Sequence, residues 1–178
     1  MTTQEYIQLR AFARVDGTYL GILWIVSFAC YLAGIGNSMA AFIGGLMAIT
    51  SPYFAVMRLK KFRDEVRDGV LSGKRSMFYY AMMFFYGSLL FALAQYIYFA
   101  FVDGGYMVRA YMSLLSSPEM KEALTAYGMT ADQLMQALNE FSTVSPIMTS
   151  LNIMTMNITI GLVLSLPVSL VMRRNKKD

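Results

Sequence analysis

Three stretches of the chain carry no charged side chain. Residues 17–57, 76–102 and 141–172 contain no Asp, Glu, Lys or Arg. A transmembrane helix needs about 20 predominantly apolar residues, so the first stretch is long enough for two spans and each of the others for one. A compact uncharged turn at residues 34–38 divides the first stretch. The pattern predicts an all-α polytopic membrane protein, a single domain covering residues 1–178, with spans at residues 17–34, 39–57, 77–102 and 147–171.

The cations predict the orientation of these spans. All but Arg109 and Lys121 of the 15 Lys and Arg residues lie before the first span, between the second and third, or after the fourth. Cytoplasmic segments collect Lys and Arg close to the ends of spans, so we expect both termini and the central loop to be cytoplasmic. The net charge of +4 follows from this asymmetry. It does not indicate nucleic-acid binding, because the cations flank apolar segments as in membrane anchoring. Asp16 is expected to cap the start of the first span.

The segment at residues 103–143 has helix signals of its own. Ser117 precedes a proline, which suits a helix N-cap followed by Pro at the first helical position. Thr130 and Gln133 have the spacing of a capping box. We therefore expect two or three short amphipathic helices, which form an acidic cap against the ends of the spans. Asp103 is expected to cap the first of them.

Small residues at four-residue spacing mark two candidate packing faces. Such residues let the backbone of a neighbouring helix approach closely. They predict helix–helix contacts at Ala40, Gly44 and Ala48 in the second span, and at Gly161 and Ser165 in the fourth.

Three amides within the predicted spans have two possible roles. Gln95, Asn152 and Asn157 could form hydrogen bonds between helices, since buried polar groups in lipid must find partners. They could also line a pore or a ligand cavity. We favour the packing role and expect Gln95 and Asn152 to bond to each other, because both lie at a similar depth below one membrane face.

The composition excludes several kinds of chemistry. The chain has no histidine and one cysteine, which excludes bis-histidine haem, His-containing zinc sites, a His general base and a redox cysteine pair. No ionisable residue is predicted deep in a span, where proton relays and ion-coupled transporters carry them. The sixteen methionines suggest a copper(I) site, since thioethers bind this ion. No two of them are four residues apart, the spacing that would place them together on one helix face, so we assign them to packing. We expect no catalytic residues, cofactor or metal.

Short motifs along nearly the whole chain resemble one family. The chain resembles bacterial membrane proteins known only as domain of unknown function 4199, a resemblance that implies a four-span protein of the bacterial inner membrane and no activity, substrate or catalytic residues. The motifs that carry it are Phe62-Arg63-Asp64, Gly69, Phe78 with Ala81, Tyr96-x-x-Phe99-x-Phe101-Val102-Asp103, Gly128-Met129-Thr130 with Gln133, and Gly161 with Ser165-Leu166.

Two functional hypotheses follow, with an intramembrane enzyme ranking last. The first is a non-enzymatic accessory or scaffold protein, which acts through a membrane-protein partner or as a homo-oligomer in the lipid bilayer. The second is a small transporter or channel component lined by the polar fourth span. Amides packed between helices of one chain would favour the first, and amides facing a cavity or a symmetry axis would favour the second.

Overall fold

The computed structural model describes residues 2–126 and 128–174, and this part of the chain is helical without β-strands. Four helices are long and apolar enough to cross a membrane, so the predicted all-α, four-span fold is confirmed. The helices are α1 (Thr3–Ala33), α2 (Ser38–Lys61), α3 (Gly73–Ile97), α4 (Tyr106–Ser116), α5 (Pro118–Ala126), α6 (Ala131–Thr143) and α7 (Pro146–Met172). Two of the long helices continue through a π-helical turn, α2 at Phe62–Val66 and α3 at Tyr98–Val102.

The first helix begins well before the predicted start of its span at residue 17. Thr2 and Glu5 form a reciprocal capping box, in which the Glu5 amide donates to Thr2 Oγ1 at 3.3 Å and the Thr2 amide donates to Glu5 Oε2 at 3.0 Å. Charged residues after this cap do not interrupt the backbone ladder. The charge pattern therefore located the apolar run correctly but not the helix, and Asp16 lies inside α1 rather than at its start.

The four long helices pack in the order α2, α1, α3, α7. Glycines bring α1 and α3 together, since a Cβ on Gly17 would lie 2.7 Å from the carbonyl oxygen of Met83. Gly161 brings α7 close to α3, because a Cβ on Gly161 would lie 2.4 Å from the Phe84 side chain. Without water to drive association, such close backbone contact is a main source of helix–helix stability in lipid.

The ends of the long helices near Thr3, Val66, Gly73 and Met172 meet at one side of the bundle, here called the cation-rich end. Glu5 joins two cations there, with Arg67 at 2.7 Å and Arg75 at 2.9 Å. Leu71 and Arg174 exchange two backbone hydrogen bonds of 3.0 and 2.9 Å. These contacts tie the segment between α2 and α3 to both ends of the described chain.

The opposite end carries α4, α5 and α6, the predicted helical cap. Two aromatic pairs join the cap to the ends of the spans, Tyr31 with Tyr111 and Phe99 with Phe141, each with ring centroids 6.1 Å apart. Gly105 and not Asp103 is the N-cap of α4, although Asp103 Oδ1 accepts a hydrogen bond from the Met107 amide in the first turn at 3.0 Å. The predicted caps form at Ser117, which accepts from the Met120 amide, and at Thr130, which accepts from the Gln133 amide.

Adjacent glycines on α2 allow a matched test of close packing. A Cβ on Gly44 would lie 2.8 Å from the Ser27 carbonyl oxygen and 3.0 Å from the Tyr31 nitrogen, whereas one on Gly45 meets nothing within 4 Å. We expect Gly44→Ala to lower the free energy of unfolding by about 1–3 kcal/mol, because neither backbone atom can move independently. Gly45→Ala should leave stability unchanged or slightly raised, since Ala is the better helix former. Thermal unfolding in mild detergent measures both, and equal shifts for the two variants would contradict the close contact at Gly44.

Candidate functional site

The most unusual group inside the bundle is the carboxylate of Asp16. Leu9, Ala13, Asp16 and Leu20 follow a helical period on the buried face of α1, and Asp16 is only 3% exposed. The rest of that stripe is apolar, so the sequence places one charge among side chains that pack against neighbouring helices. Such a charge is costly to bury unless it is paired.

Both oxygens of Asp16 accept hydrogen bonds from other helices. Arg58, near the end of α2, donates to Oδ1 through Nε at 2.8 Å and through a terminal nitrogen. Tyr79, on α3, donates its hydroxyl to Oδ2. Hydrogen bonds to a charged partner are stronger than neutral ones, and here they join α1, α2 and α3 at one point.

The Asp16 site lies within the bundle and not at its end. At about 1.5 Å per residue, Asp16 is about 16 Å further along α1 than Glu5, and Arg58 is about 12 Å before Val66. Glu5 and Val66 both belong to the cation-rich end, so the two distances agree. Asp16 therefore lies inside α1, and its predicted role as a helix cap is wrong, because the helix begins at Thr3 with Thr2 as its N-cap.

Aromatic rings enclose the anion, while the cation reaches the surface. The Phe62 ring stacks on Tyr79 with centroids 4.5 Å apart and covers the site from the cation-rich end. The Asp16 side chain is 5% exposed and that of Arg58 is 27% exposed. The Arg58 guanidinium lies 5.1 Å from the centre of the Tyr19 ring, at a cleft of about 360 Å³ between α1 and α2. Because both Asp16 oxygens already accept hydrogen bonds, the cluster has a structural role: it holds α1, α2 and α3 together.

A second polar contact joins α1 and α2 further along the bundle. Pro52 has no N–H to donate to the Ala48 carbonyl, and the Ser51 hydroxyl donates to that carbonyl instead at 2.7 Å. Trp24 Nε1 in turn donates to Ser51 Oγ at 2.9 Å. The proline in α2 therefore leaves no unpaired carbonyl, and the replacement donor anchors the only tryptophan in the chain.

An apolar groove of about 520 Å³ lies between α2 and α7. It forms because α2 packs mainly on α1 and α7 mainly on α3, which leaves these two helices apart over much of their length. Trp24, Phe84 and Phe91 contribute aromatic surface, and Asn157 contributes an amide. Gly45 and Ala48 form part of the α2 wall of this groove.

The three predicted amides do not come together. Gln95 is 3% exposed and its Oε1 has no hydrogen-bond partner among the described residues, whereas Asn152 is exposed. The predicted bond between them is therefore absent. Gln95 and Asn152 lie on α3 and α7, which do pack together, but Asn152 is on the face of α7 that points away from α3. Similar depth was not enough to predict the contact, because the rotation of α7 decides it.

The small residues chosen from the sequence fall in different environments. Gly44 is buried against α1, and Ser27 Oγ donates to its carbonyl oxygen at 2.8 Å. Ala40 is half-buried and Ala48 is exposed toward the groove. Gly161 and Ser165 are both buried, and the Ser165 hydroxyl donates to the Leu162 carbonyl of its own helix.

Sequence reasoning misses the cluster formed by Asp16, Arg58 and Tyr79. The pattern places Arg58 at the membrane boundary because it follows an uncharged run, and it places Tyr79 in an interfacial aromatic belt. One signal is available: Asp16 shares a helical face with Leu9, Ala13 and Leu20, all of which are apolar. A charge at a core position of an amphipathic pattern predicts a buried partner.

Comparison with known proteins identifies a family. The model of the family described as "Protein of unknown function (DUF4199)" matches residues 16–174. The chain belongs to the DUF4199 family. The match begins at Asp16 and includes Arg58 and Tyr79, so the whole buried cluster lies within the family region. No curated protein and no solved structure matches this DUF4199 chain.

Substitutions at the buried cluster should distinguish the contribution of the Asp16–Arg58 ion pair to stability from that of the Tyr79 hydrogen bond. Asp16→Asn leaves Arg58 without its counter-ion, and we expect the free energy of unfolding to fall by about 3 kcal/mol, near the low end for a broken buried pair because Arg58 is partly exposed. Tyr79→Phe removes one hydrogen bond to a charged group and should cost about 1.5 kcal/mol. Denaturant unfolding in mild detergent gives both values.

Two further variants control this experiment. Asp132→Asn, on the exposed surface of α6, removes the same charge outside the bundle and should cost less than about 1 kcal/mol, the loss of its interaction with the dipole of α6. The double variant Asp16→Leu/Arg58→Met replaces the pair with apolar groups and should be more stable than Asp16→Asn. An Asp16→Asn protein as stable as the Asp132→Asn control would show that the buried cluster does not hold the three helices together.

Proposed function

We propose that this DUF4199 protein is a non-enzymatic integral membrane protein that works as a homo-oligomer, with the exposed face of α7 as the contact between copies. The observation that carries the proposal is Asn152, an exposed amide within a membrane helix. It belongs to a polar strip on α7 formed by Asn152, Thr155 and Thr159, all three of which are exposed. From Pro146, this strip extends over about 9 to 20 Å of the helix.

The amide of Asn152 needs a partner, and none is provided by residues 2–126 and 128–174 of its own chain. The side-chain hydrogen bonds of α7 in the described chain are made by Ser and Thr hydroxyls to carbonyls of the same helix, including Thr155 to Leu151 at 2.9 Å and Thr159 to Thr155 at 2.8 Å. An amide that faces hydrocarbon without a partner is unfavourable by several kcal/mol. A neighbouring helix that covers the strip removes this cost.

A second copy of the same chain is a suitable partner for this strip. An asparagine carries both donors and an acceptor, so two copies of Asn152 related by a two-fold axis can bond to each other. The flanking threonines have already satisfied their hydroxyls and present compact methyl groups, which suit close helix packing. The interface is then self-complementary.

The alternative is a transporter or channel component, and one observation favours it. Asn152 faces outward and Asn157 faces the groove, so these amides of α7 are not packed between helices of one chain. We rank transport second because the groove is lined largely by apolar side chains, and because the buried charge at Asp16 is paired on both oxygens. An oligomer whose axis is lined by Asn152 would be common to both functions.

Replacement of Asn152 tests self-association. Asn152→Leu removes the amide and should raise the dissociation constant of the oligomer about tenfold, as expected for one interhelical hydrogen bond. Asn157→Leu is the matched control, since it removes an amide from the groove and not from the strip. Native mass spectrometry across a range of protein-to-detergent ratios measures the dissociation. A wild-type protein that remains monomeric at all ratios, or equal effects of the two variants, would contradict the proposal.

We also propose that the cation-rich end of the bundle is cytoplasmic and that the membrane is a bacterial inner membrane. Arg67 and Arg75 lie at this end, on the same side as the start of α1 and the end of α7, and cytoplasmic segments collect such cations. A reporter that is active only outside the cytoplasm should therefore be inactive when fused after Asp178 and active when inserted between α5 and α6. The reverse result would overturn the orientation.

A further inference from the structure

A small basic pocket lies on the side of the bundle between α1 and α3. Its volume is about 220 Å³. Two arginines and two tyrosines provide its polar groups, and short or branched apolar side chains complete the wall. The residues that line it are Tyr6, Ile7, Arg10, Ala11, Arg14 and Tyr86.

The charge of this pocket is not balanced by the acids of the same helix. Glu5 is paired with Arg67 and Arg75, and Asp16 is paired with Arg58. Within residues 2–126 and 128–174, Arg10 and Arg14 take part in no ion pair. Both are exposed, so the pocket presents two positive charges toward its surroundings.

Arg10 and Arg14 both line the pocket, and at four residues apart they are neighbours on one face of α1. The Nε of Arg10 donates to the Tyr86 hydroxyl at 3.0 Å, which holds the side chain toward α3. That bond uses Nε and leaves the terminal nitrogens of Arg10 available. Guanidinium groups suit phosphate because they can donate two parallel hydrogen bonds.

The position of the pocket indicates where the phosphate comes from. Arg10 and Arg14 lie about 7 and 13 Å further along α1 than Glu5, so they are on the side of the bundle and not on its end surface. Their side chains tilt toward the start of α1, and thus toward the cation-rich end. Ile7 and Val15 nearby are 60% and 49% exposed, which provides apolar surface beside the charges. A ligand with a phosphate and an acyl chain matches both features.

We propose that this pocket binds the phosphate headgroup of an anionic phospholipid, with Arg10 and Arg14 as the phosphate ligands and Tyr86 as the residue that positions Arg10. The site is separate from the polar strip on α7 and does not depend on self-association. Basic pockets between membrane helices are suited to anionic lipid headgroups, because the charge attraction adds to burial of the acyl chain.

The test uses the full-length protein in mild detergent, with phosphatidylglycerol as the probe and phosphatidylcholine as the comparison lipid. Native mass spectrometry should detect retained phosphatidylglycerol in preference to phosphatidylcholine. The double variant Arg10→Gln/Arg14→Gln should bind phosphatidylglycerol about thirtyfold more weakly, as expected for the loss of two cations near a membrane surface. Tyr86→Phe should give a smaller loss, since both charges remain.

A matched double variant distinguishes specific binding in the pocket from non-specific attraction of anionic lipid to a positively charged protein. Lys60→Gln/Lys74→Gln removes two exposed cations near the same end of the bundle that do not line the pocket, and it should retain the lipid. Both doubles should remain folded, with the arginine double unfolding at a slightly lower temperature because it also loses the hydrogen bond from Arg10 to Tyr86. Equal lipid loss in the two doubles would overturn the site. Displacement of the lipid by millimolar inorganic phosphate would show that the pocket binds free phosphate rather than a phospholipid headgroup.

Discussion

The carboxylate of Asp16 accepts hydrogen bonds from Arg58 and Tyr79, and the arrangement of the first three helices depends on these bonds. A buried carboxylate in a membrane domain is tolerated only when both of its oxygens have partners. The partners come from α2 and α3, so these helices must be held at a set rotation and depth against α1. Glycines at Gly17, Gly44 and Gly87 allow the close approach that this geometry requires.

The same constraint explains why the bundle is uneven. Polar bonds and glycine contacts join α2 to α1 and α1 to α3, and Gly161 joins α7 to α3. No comparable feature among the described residues draws α2 and α7 together near Asn157, and a groove results. Gly45 and Ala48 lie on the α2 side of this groove, but α7 contributes no small residue to it, so the two helix backbones have no matching faces for close approach.

Three surfaces of the molecule lack a partner among the described residues. The polar strip on α7 exposes the Asn152 amide, the basic pocket exposes Arg10 and Arg14, and the apolar groove between α2 and α7 is open. We propose another copy of the chain as the partner of the strip, from hydrogen-bond complementarity, and an anionic lipid as the ligand of the pocket, from charge.

The sequence by itself determined the number of spans, the helical cap and its N-cap residues. Each depends on local or one-dimensional information, namely the length of an uncharged run or the spacing of Ser, Thr, Pro and Gln. It did not determine the start of α1, because charged residues lie outside the apolar run but within the same helix. Only the tertiary structure decided that Asp16 is paired across three helices and that Gln95 and Asn152 are apart. Those outcomes depend on the rotation of one helix about its axis relative to another, and that rotation is set jointly by glycines and polar bonds on different parts of the chain.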